Sequence, residues 1–374
     1  MSSAPSHAAI SDARWVSRTA LPAISHSQGL IFGGDPGDSL VAVSLGELGL
    51  LRGYSVATWA LAGIKLGDRM LVSTVQEGGF PVATAAEVIT PLCSAVTYAS
   101  PRGRLRLLHT IKTFKPTVWV TTPCAALDFL ARLYMEFNVD PFELGIEHIV
   151  LVGEVASKGA HKRLADEFES VVTDLYCEPF FGAALALRTK GVMQSGEAGL
   201  LALGSLTEDT VVSTGWDSSV DSEIVLTLSD VDAFKGFVVR TGHVVSPDQS
   251  VNSFHHTIGD RLLARGRWIS LPLMNKSLKL IDGMQGWQLQ VERGEGTLDR
   301  ITLKMGLNRE SLVDNPMWKA RIGEAIAAVT PLAIAVETYH LAAEDPQPQG
   351  FVVDSRDYHL GGGAGLKPEG GWQL

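Results

Sequence analysis

The stretch that decides the fold is Phe237-Val238-Val239-Arg240-Thr241-Gly242-His243-Val244-Val245. A β-branched run leads into a tight Arg-Thr-Gly turn, and a second short apolar run follows. Residues upstream alternate between strand and helix patterns, whereas residues downstream form a smaller block with its own pattern. The stretch therefore marks the approach to a boundary between two structural regions.

Upstream of residue 198, short apolar runs alternate with helical patterns. The strand patterns cover residues 70–73, 115–123 (ending in a turn), 148–154 and 171–176, and longer amphipathic or apolar segments separate them. Strands separated by helical patterns of this length predict parallel βαβ units. Because ligands bind beyond the carboxyl ends of parallel strands, Thr122, Glu154 and Tyr176 are candidate site residues.

From residue 199 the pattern changes to short β-rich runs separated by Gly, Asp and Ser, which predicts an antiparallel or barrel-like subdomain. We predict an α/β fold: a large N-terminal α/β region with a parallel sheet and a β-rich subdomain, plus a small α+β C-terminal domain. The predicted boundaries are 1–14 (tail), 15–198 (α/β part), 199–260 (β-rich subdomain), 261–358 (C-terminal domain) and 359–374 (tail).

The composition is that of a globular protein, with 374 residues, 45 % hydrophobic content and a formal net charge of -10. This charge argues against nucleic acid or an anionic membrane as the main partner, and no apolar run is suited to span a bilayer. Three cysteines and the lack of a secretory signal predict a reducing cytoplasm. His243, His255 and His256 lack supporting ligands at metal-site spacing, so we predict no metal site.

A glycine-rich segment, Gly33-Gly34-Asp35-Pro36-Gly37-Asp38, follows an apolar run near the N-terminus. Such loops can cradle phosphate with backbone N–H groups, and phosphate-binding loops add Lys or hydroxyl side chains. Asp35 and Asp38 would instead repel phosphate. The chemistry therefore favours a structural turn.

The order of further segments resembles the phenylacetate–CoA ligase branch of the adenylate-forming (acyl-CoA synthetase) superfamily, from about Gly33 to Arg356. The matching segments are Gly34–Asp38 (phosphate loop), Thr122-Pro123-Cys124 (acyl pocket), Gly153-Glu154 (adenine), Asp174-Leu175-Tyr176, Arg240-Thr241-Gly242-His243 (ribose) and Asp260–Gly266 (hinge). Members of this superfamily convert a carboxylate and ATP to an acyl-adenylate and pass the acyl group to CoA. The resemblance implies an α/β large domain and a small C-terminal domain.

The resemblance also implies roles for individual residues. The nucleotide-binding positions of the family correspond to Gly34, Gly37, Glu154, Tyr176, Arg240 and Asp260. Its substrate pocket corresponds to Thr122, Pro123, Cys124 and Phe180. Its hinge corresponds to Asp260 and Arg265. Glu178 is the candidate for the catalytic, magnesium-holding glutamate, although it lies two places early. The family often forms dimers, which leaves a homodimer open.

Departures from the family pattern cluster where ATP chemistry needs charge. Asp38 replaces the phosphate-loop Lys, His243 replaces the ribose-binding Asp, and Pro348 occupies the place of the C-terminal Lys. Losing one preorganised charged contact costs roughly 3–4 kcal/mol, or about 10²–10³ in rate. We therefore expect a catalytically reduced homologue that binds an acyl, aryl or CoA-type ligand, or a partner protein.

The alternative is an active, atypical ATP-dependent carboxylate-activating enzyme. It would use ATP–Mg and CoA, with Glu178, Glu154 and Arg240 making the metal and nucleotide contacts. Several single-residue roles also have two interpretations. Cys124 is a pocket wall in preference to an acyl acceptor, and Phe180 packs in the core in preference to stacking on a ligand. For Arg240 and Arg265, an anion clamp and a structural salt bridge are equally supported.

Overall fold

The computed structural model describes residues 13–18, 20–21, 30–35, 39–74, 89–189, 191–248, 251–293, 299–342 and 352–361. Gly37, Asp38, Pro348 and most of both predicted tails lie outside these residues. Contacts divide the chain into a first unit, residues 1–255, and a second unit, residues 256–374.

The strands up to residue 257 are β1 (Arg14–Ser17), β2 (Ile31–Asp35), β3 (Ser39–Val43), β4 (Arg69–Ser73), β5 (Ala95–Tyr98), β6 (Val118–Thr121), β7 (His148–Val152), β8 (Val171–Cys177), β9 (Ala184–Thr189), β10 (Val192–Ser195), β11 (Leu201–Gly204), β12 (Val211–Ser213), β13 (Ser222–Leu226), β14 (Phe237–Asp248) and β15 (Val251–Thr257). The α-helices of this part are α1 (Leu45–Leu61), α2 (Arg104–Phe114), α3 (Pro123–Arg132) and α4 (Lys158–Phe168). A π-helix, Leu133–Phe137, continues directly from α3.

A seven-stranded sheet with the order β10-β9-β8-β7-β6-β4-β5 forms the centre of the first unit. Strands β5, β4, β6, β7 and β8 are neighbours in this order and pair in parallel. Strands β9 and β10 add antiparallel pairs beyond β8. Both faces are buried: Trp119 and Leu151 pack with α2, α3 and α4, whereas Val120 and Val150 pack in the cluster that contains Trp59 of α1. Near-continuous apolar strands are typical of parallel sheets covered on both faces. The predicted α/β fold with a parallel sheet is confirmed.

Helix starts in this unit follow capping residues that are visible in the sequence. Ser44 and Glu47 form a capping box at α1, in which the Glu47 carboxylate accepts from Ser44 N at 2.7 Å. Thr122 caps α3 ahead of Pro123, which occupies the first helical turn, and Ser157 caps α4. These caps place the first turns of α3 and α4 directly after β6 and β7.

A second sheet of the first unit has the order β1-β14-β13-β11-β12, and β15 also pairs with β14. The pairs of β11, β12, β13 and β14 are antiparallel, as the pattern after residue 199 predicts. The edge strand β1 is parallel to β14, and Arg14 pairs with Phe237. Residues 15–17, predicted as part of the α/β region, thus belong to the β-rich sheet, because their partner strand lies far along the chain.

The second unit contains β16 (Arg261–Ala264), β17 (Arg267–Ser270), α5 (Leu271–Leu278), β18 (Met284–Arg293), β19 (Asp299–Leu307), α6 (Pro316–Ala327), β20 (Ala335–His340) and β21 (Val352–Asp354). Four strands form a sheet with the order β20-β19-β18-β21, and β16 and β17 form a hairpin. Leu289, Leu303 and Ile322 are fully buried between this sheet and the helices. The unit has the α+β composition that the sequence predicts.

Residues 359–361, predicted as the start of a tail, are part of the second unit. His359 bridges to Thr257, Leu360 N donates to Thr257 O at 2.8 Å, and Gly259 N donates to Gly361 O at 2.7 Å. Backbone pairing, which side-chain composition does not reveal, holds this segment.

Two glycines with opposite surroundings test how α1 is held. A Cβ at Gly196 would lie 2.3 Å from Thr58 N, whereas a Cβ at Gly53 would meet nothing within 4 Å. We expect Gly196→Ala to destabilise the protein by about 1–3 kcal/mol, because helix backbone must move. Gly53→Ala should stabilise it by about 0.5–1 kcal/mol through helix propensity. Urea unfolding midpoints measure both, and equal effects would contradict the close approach of α1 at Gly196.

Candidate functional site

The carboxyl ends of β6 and β7 bring together predicted pocket and nucleotide positions. Thr122 Oγ1 accepts from Ala125 N at 3.3 Å and lies 3.5 Å from the Sγ of the buried Cys124. Cys124 N donates to Glu154 Oε2 at 3.1 Å, so a carboxylate occupies the N-terminus of α3. Pro123 is buried in the first turn of the same helix. The structure thus places Thr122, Cys124 and Glu154 in one cluster.

Glu178 follows β8, and its side chain is directed back to the loop that follows it. Glu178 Oε2 accepts from Phe180 N at 2.7 Å, while Oε1 accepts from Phe181 N at 2.8 Å and from Ala183 N at 3.0 Å. The residue is 1 % exposed, and this burial raises the pKa of its carboxyl to about 7. The carboxylate therefore organises residues 178–183, a segment we name the Glu178 loop.

The glycine-rich segment forms an antiparallel hairpin, β2–β3, that packs on the Glu178 loop. Gly34 N donates to Phe180 O at 2.9 Å. A Cβ at Gly33 would lie 2.5 Å from both Phe180 O and Phe181 Cε1, so only glycine permits this approach. The two described glycines of the motif contact protein, and the turn between the strands, with Gly37 and Asp38, lies outside the described residues.

Phe180 is 1 % exposed, and its ring centroid lies 5.5 Å from that of Phe234. It belongs to the cluster that also contains Tyr176 and residues of the β-rich sheet. Its position agrees with core packing, the interpretation that the sequence favours over ligand stacking.

Arg240 lies on β14 with 5 % of its side chain exposed, and its guanidinium donates five hydrogen bonds within the chain. Nε and Nη2 donate to Asp209 Oδ1, Nη1 donates to Glu223 Oε2 at 2.5 Å, and the remaining two donate to the carbonyls of Ser205 and Glu208. The guanidinium also lies 4.7 Å from the ring centroid of Trp15. A guanidinium has five N–H groups, so the structural interpretation of Arg240 accounts for all of them.

The turn after Arg240 places His243 against Tyr176. Thr241 Oγ1 donates to Ile224 O at 2.7 Å, and Gly242 N donates to Glu223 Oε1 at 2.8 Å. The His243 and Tyr176 rings are nearly perpendicular, with centroids 5.5 Å apart. Burial lowers the pKa of His243 to about 3 and raises that of Tyr176. His243 is therefore a neutral imidazole at neutral pH.

In the second unit, the predicted hinge residues have structural roles. Arg265 and Gly266 occupy the hairpin turn between β16 and β17 with φ of 50° and 72°, the conformation of a type I′ turn. The Arg265 guanidinium donates to Asp299 O, with Nε at 2.7 Å. The backbone carbonyl of Asp260 accepts from Leu271 N at 2.9 Å. Asp260 thus lies directly before the first strand of this hairpin, and Arg265 lies in its turn.

Two charged clusters were not predicted from the sequence. Arg356, 2 % exposed, pairs with Asp354 at 2.8 Å and with Asp299 at 2.5 Å. Asp174 Oδ1 lies 2.7 Å from His161 Nε2, and Asp174 Oδ2 lies 2.7 Å from Arg188. Asp174 and Arg356 were visible only as motif residues, and no local spacing indicates that they pair with Arg188 and Asp299.

Within the described ranges, no group of three or more His, Cys, Asp or Glu side chains is placed to hold a metal ion. None of the helices in those ranges has the length and apolar character needed to cross a membrane.

Solved structures share this fold. The chain is similar to 2-hydroxyisobutyryl-CoA ligase in complex with 2-HIB-AMP and CoA (TM-score 0.67, 15 % identity, 90 % of this chain and 74 % of that chain). It is also similar to the amide bond synthetase McbA from Marinactinospora thermotolerans (TM-score 0.62, 11 % identity, 86 % and 68 %) and to IdnL1 (TM-score 0.59, 12 % identity, 81 % and 65 %). Neither a protein-family model nor a curated protein matches the sequence. The chain therefore has the fold of adenylate-forming ligases, as the resemblance implies.

The two carboxylates that pair with Arg240 allow a matched test of its network. Glu223 is 4 % exposed and Asp209 is 52 % exposed. Removing the buried partner of an ion pair costs about 3–5 kcal/mol, whereas an exposed partner contributes about 1 kcal/mol or less. We expect Glu223→Ala to destabilise the protein far more than Asp209→Ala in urea unfolding. Similar losses in both variants would contradict a buried role for this network.

The Glu178 carboxyl predicts a specific pH dependence of stability. The pKa of the Glu178 carboxyl rises from its ordinary value of 4.5 to about 7 in the folded protein, so protonation of this carboxyl favours the folded state. The stability that protonation contributes is complete below pH 4.5 and is lost as pH rises through about 7, by about 3 kcal/mol. Unfolding free energies of the wild type and Glu178→Gln, measured from pH 5 to pH 8, should diverge by this amount. Parallel profiles would contradict the buried, ionisable assignment.

Proposed function

We propose that the chain is a phenylacetate–CoA ligase-like homologue with reduced adenylating activity, which binds an acyl, aryl or CoA-type ligand or a partner protein. The observation that carries the proposal is the engagement of all five Arg240 N–H groups by the chain itself. A nucleotide could use this guanidinium only by displacing bonds to a nearly buried carboxylate. Such displacement costs several kcal/mol.

The phosphate and magnesium positions support the same conclusion. The backbone N–H of Gly34, which a phosphate loop would offer to an anion, is donated to Phe180 O. Both oxygens of Glu178 accept backbone N–H bonds of the Glu178 loop. Asp38 adds a negative charge in the same motif. Binding of Mg²⁺ and triphosphate would require these contacts to be rearranged.

The ribose position has also lost the chemistry that a nucleotide needs. A neutral imidazole offers one acceptor, whereas a carboxylate offers two oxygens for the two ribose hydroxyls. His243 instead packs edge-on against Tyr176. The replacement turns a polar, charged recognition point into an aromatic contact.

The pocket positions, in contrast, keep an acyl-binding character. Thr122 and Cys124 are buried beside Glu154 at the carboxyl edge of the parallel sheet, which is where α/β proteins bind ligands. This part of the chain needs no triphosphate contact. It supports a retained acyl, aryl or CoA-type ligand.

Thermal unfolding and pyrophosphate exchange test the proposal together. We expect no stabilisation by ATP–Mg or AMP, and a shift with CoA or with an aryl carboxylate from a panel of such acids. A ligand at about a hundred times its Kd stabilises a fold by about 2.7 kcal/mol, which is readily measured.

The contrary result is stabilisation by ATP–Mg together with carboxylate-dependent pyrophosphate exchange. It would identify an active, atypical carboxylate-activating enzyme, and Glu178→Gln should then abolish the exchange. Asp221→Ala serves as the control, since it removes an exposed carboxylate that is not a partner of Arg240.

A further inference from the structure

The segment 101–115, which contains α2, is unlike the rest of this acidic chain. It contains Arg102, Arg104, Arg106, Lys112 and Lys115 and no acidic residue, in a chain with a formal net charge of -10. Leu107, Leu108 and Ile111 are buried against the sheet, whereas Arg102, Arg106, Lys112 and Lys115 are exposed. These four basic side chains therefore lie on the outside of the first unit.

The stability of α2 does not explain its basic first turn. No acidic residue lies in that turn, and no side chain caps Gly103. Positive charge at a helix N-terminus opposes the helix dipole by about 0.3–1 kcal/mol. Arg104 is compensated by Asp128 at 2.8 Å. Among the described residues, Arg102 and Arg106 form no ion pair.

A groove with exposed apolar side chains adjoins these arginines. It has a volume of about 400 Å³ and is lined by Gly103, Arg104, Leu105, Arg106, Glu136 and Phe137. Leu105 is 67 % exposed, and Met135 of the π-helix Leu133–Phe137 is 77 % exposed. The negative charge of Glu136 is balanced by Arg132 at 2.7 Å. Arginine, methionine and other large apolar side chains in this arrangement are typical of protein–protein interfaces.

We propose that this surface, the groove together with the exposed Arg102 and Met135 next to its lining residues in sequence, binds an acidic amphipathic segment of a partner protein. The arginines pair with acidic side chains of the segment, and Leu105 and Met135 contact its apolar face. The large exposed apolar side chains distinguish the surface from one that binds a phosphate backbone. The surface uses none of the residues assigned to the acyl and nucleotide positions, so the inference is independent of the proposed function.

The test uses the full chain and a fluorescein-labelled helical peptide of Glu and Leu, with Leu at helical spacing. Fluorescence anisotropy should show binding that weakens as salt is raised, and the matching peptide of Lys and Leu should not bind. Arg102→Glu with Arg106→Glu should raise Kd by at least about tenfold, because two attractive contacts become repulsive. Leu105→Ala with Met135→Ala should raise Kd several-fold at raised salt, where the apolar contacts dominate.

A matched control reverses two exposed lysines at the C-terminal end of α5, Lys276→Glu with Lys279→Glu. It makes the same change in net charge and should leave Kd within about twofold. All these side chains are exposed, so unfolding midpoints should stay close to wild type.

Three results would overturn the proposal. One is failure of the Glu–Leu peptide to bind, or binding that the arginine reversal does not change. The second is equal or tighter binding of duplex DNA or of phosphatidylserine vesicles, which would identify a general polyanion surface. The third is self-association of the chain that the arginine reversal abolishes, which would identify a second copy as the occupant.

Discussion

The β-rich part of the first unit depends on the hydrogen bonds that the buried Arg240 guanidinium donates. This guanidinium joins β14 to Glu223 of β13, to the loop that carries Ser205, Glu208 and Asp209, and to Trp15 of β1. A buried cation is stable only when each N–H has an acceptor. The five hydrogen bonds, which four acceptor atoms receive, therefore connect β14 to β13 and to the loop of residues 205–209, and the cation–π contact adds β1. The turn that follows is held by the same strand, because Ile224 O accepts from Thr241 Oγ1 and Glu223 accepts from Gly242 N.

At the nucleotide-type positions Gly34, Glu178 and Arg240, the polar groups form hydrogen bonds within the chain itself. Glu178 closes its own loop, that loop accepts the Gly34 N–H, and Glu223 accepts from both Arg240 and Gly242. Preorganised catalytic sites leave donors and acceptors directed at the position of the substrate. Here the donors of two nucleotide-type motifs are directed at protein atoms. This inward arrangement is the physical basis of the proposed loss of adenylation.

The sequence predicts the layered α/β fold because the signals are local: apolar strand patterns and the helical patterns that separate them. It also placed Thr122, Glu154 and Tyr176 at the carboxyl edge. It could not assign β1 to the β-rich sheet, nor decide between a clamp and a salt bridge for Arg240, since both depend on partners far along the chain. The Asp299–Arg356 pair was missed for the same reason.

The parallel pairing of β1 with β14 has a consequence for synthesis on the ribosome. Arg14 pairs with Phe237, so more than half of the sequence must be synthesised before the partner of β1 exists. At about 5–20 residues per second, this interval is roughly 10–45 s. During it, Trp15 and Val16 belong to an unpaired strand, the kind of segment that chaperones protect. The seven-stranded sheet, whose pairs are mostly sequential neighbours, can form earlier, and the β-rich sheet is completed after it.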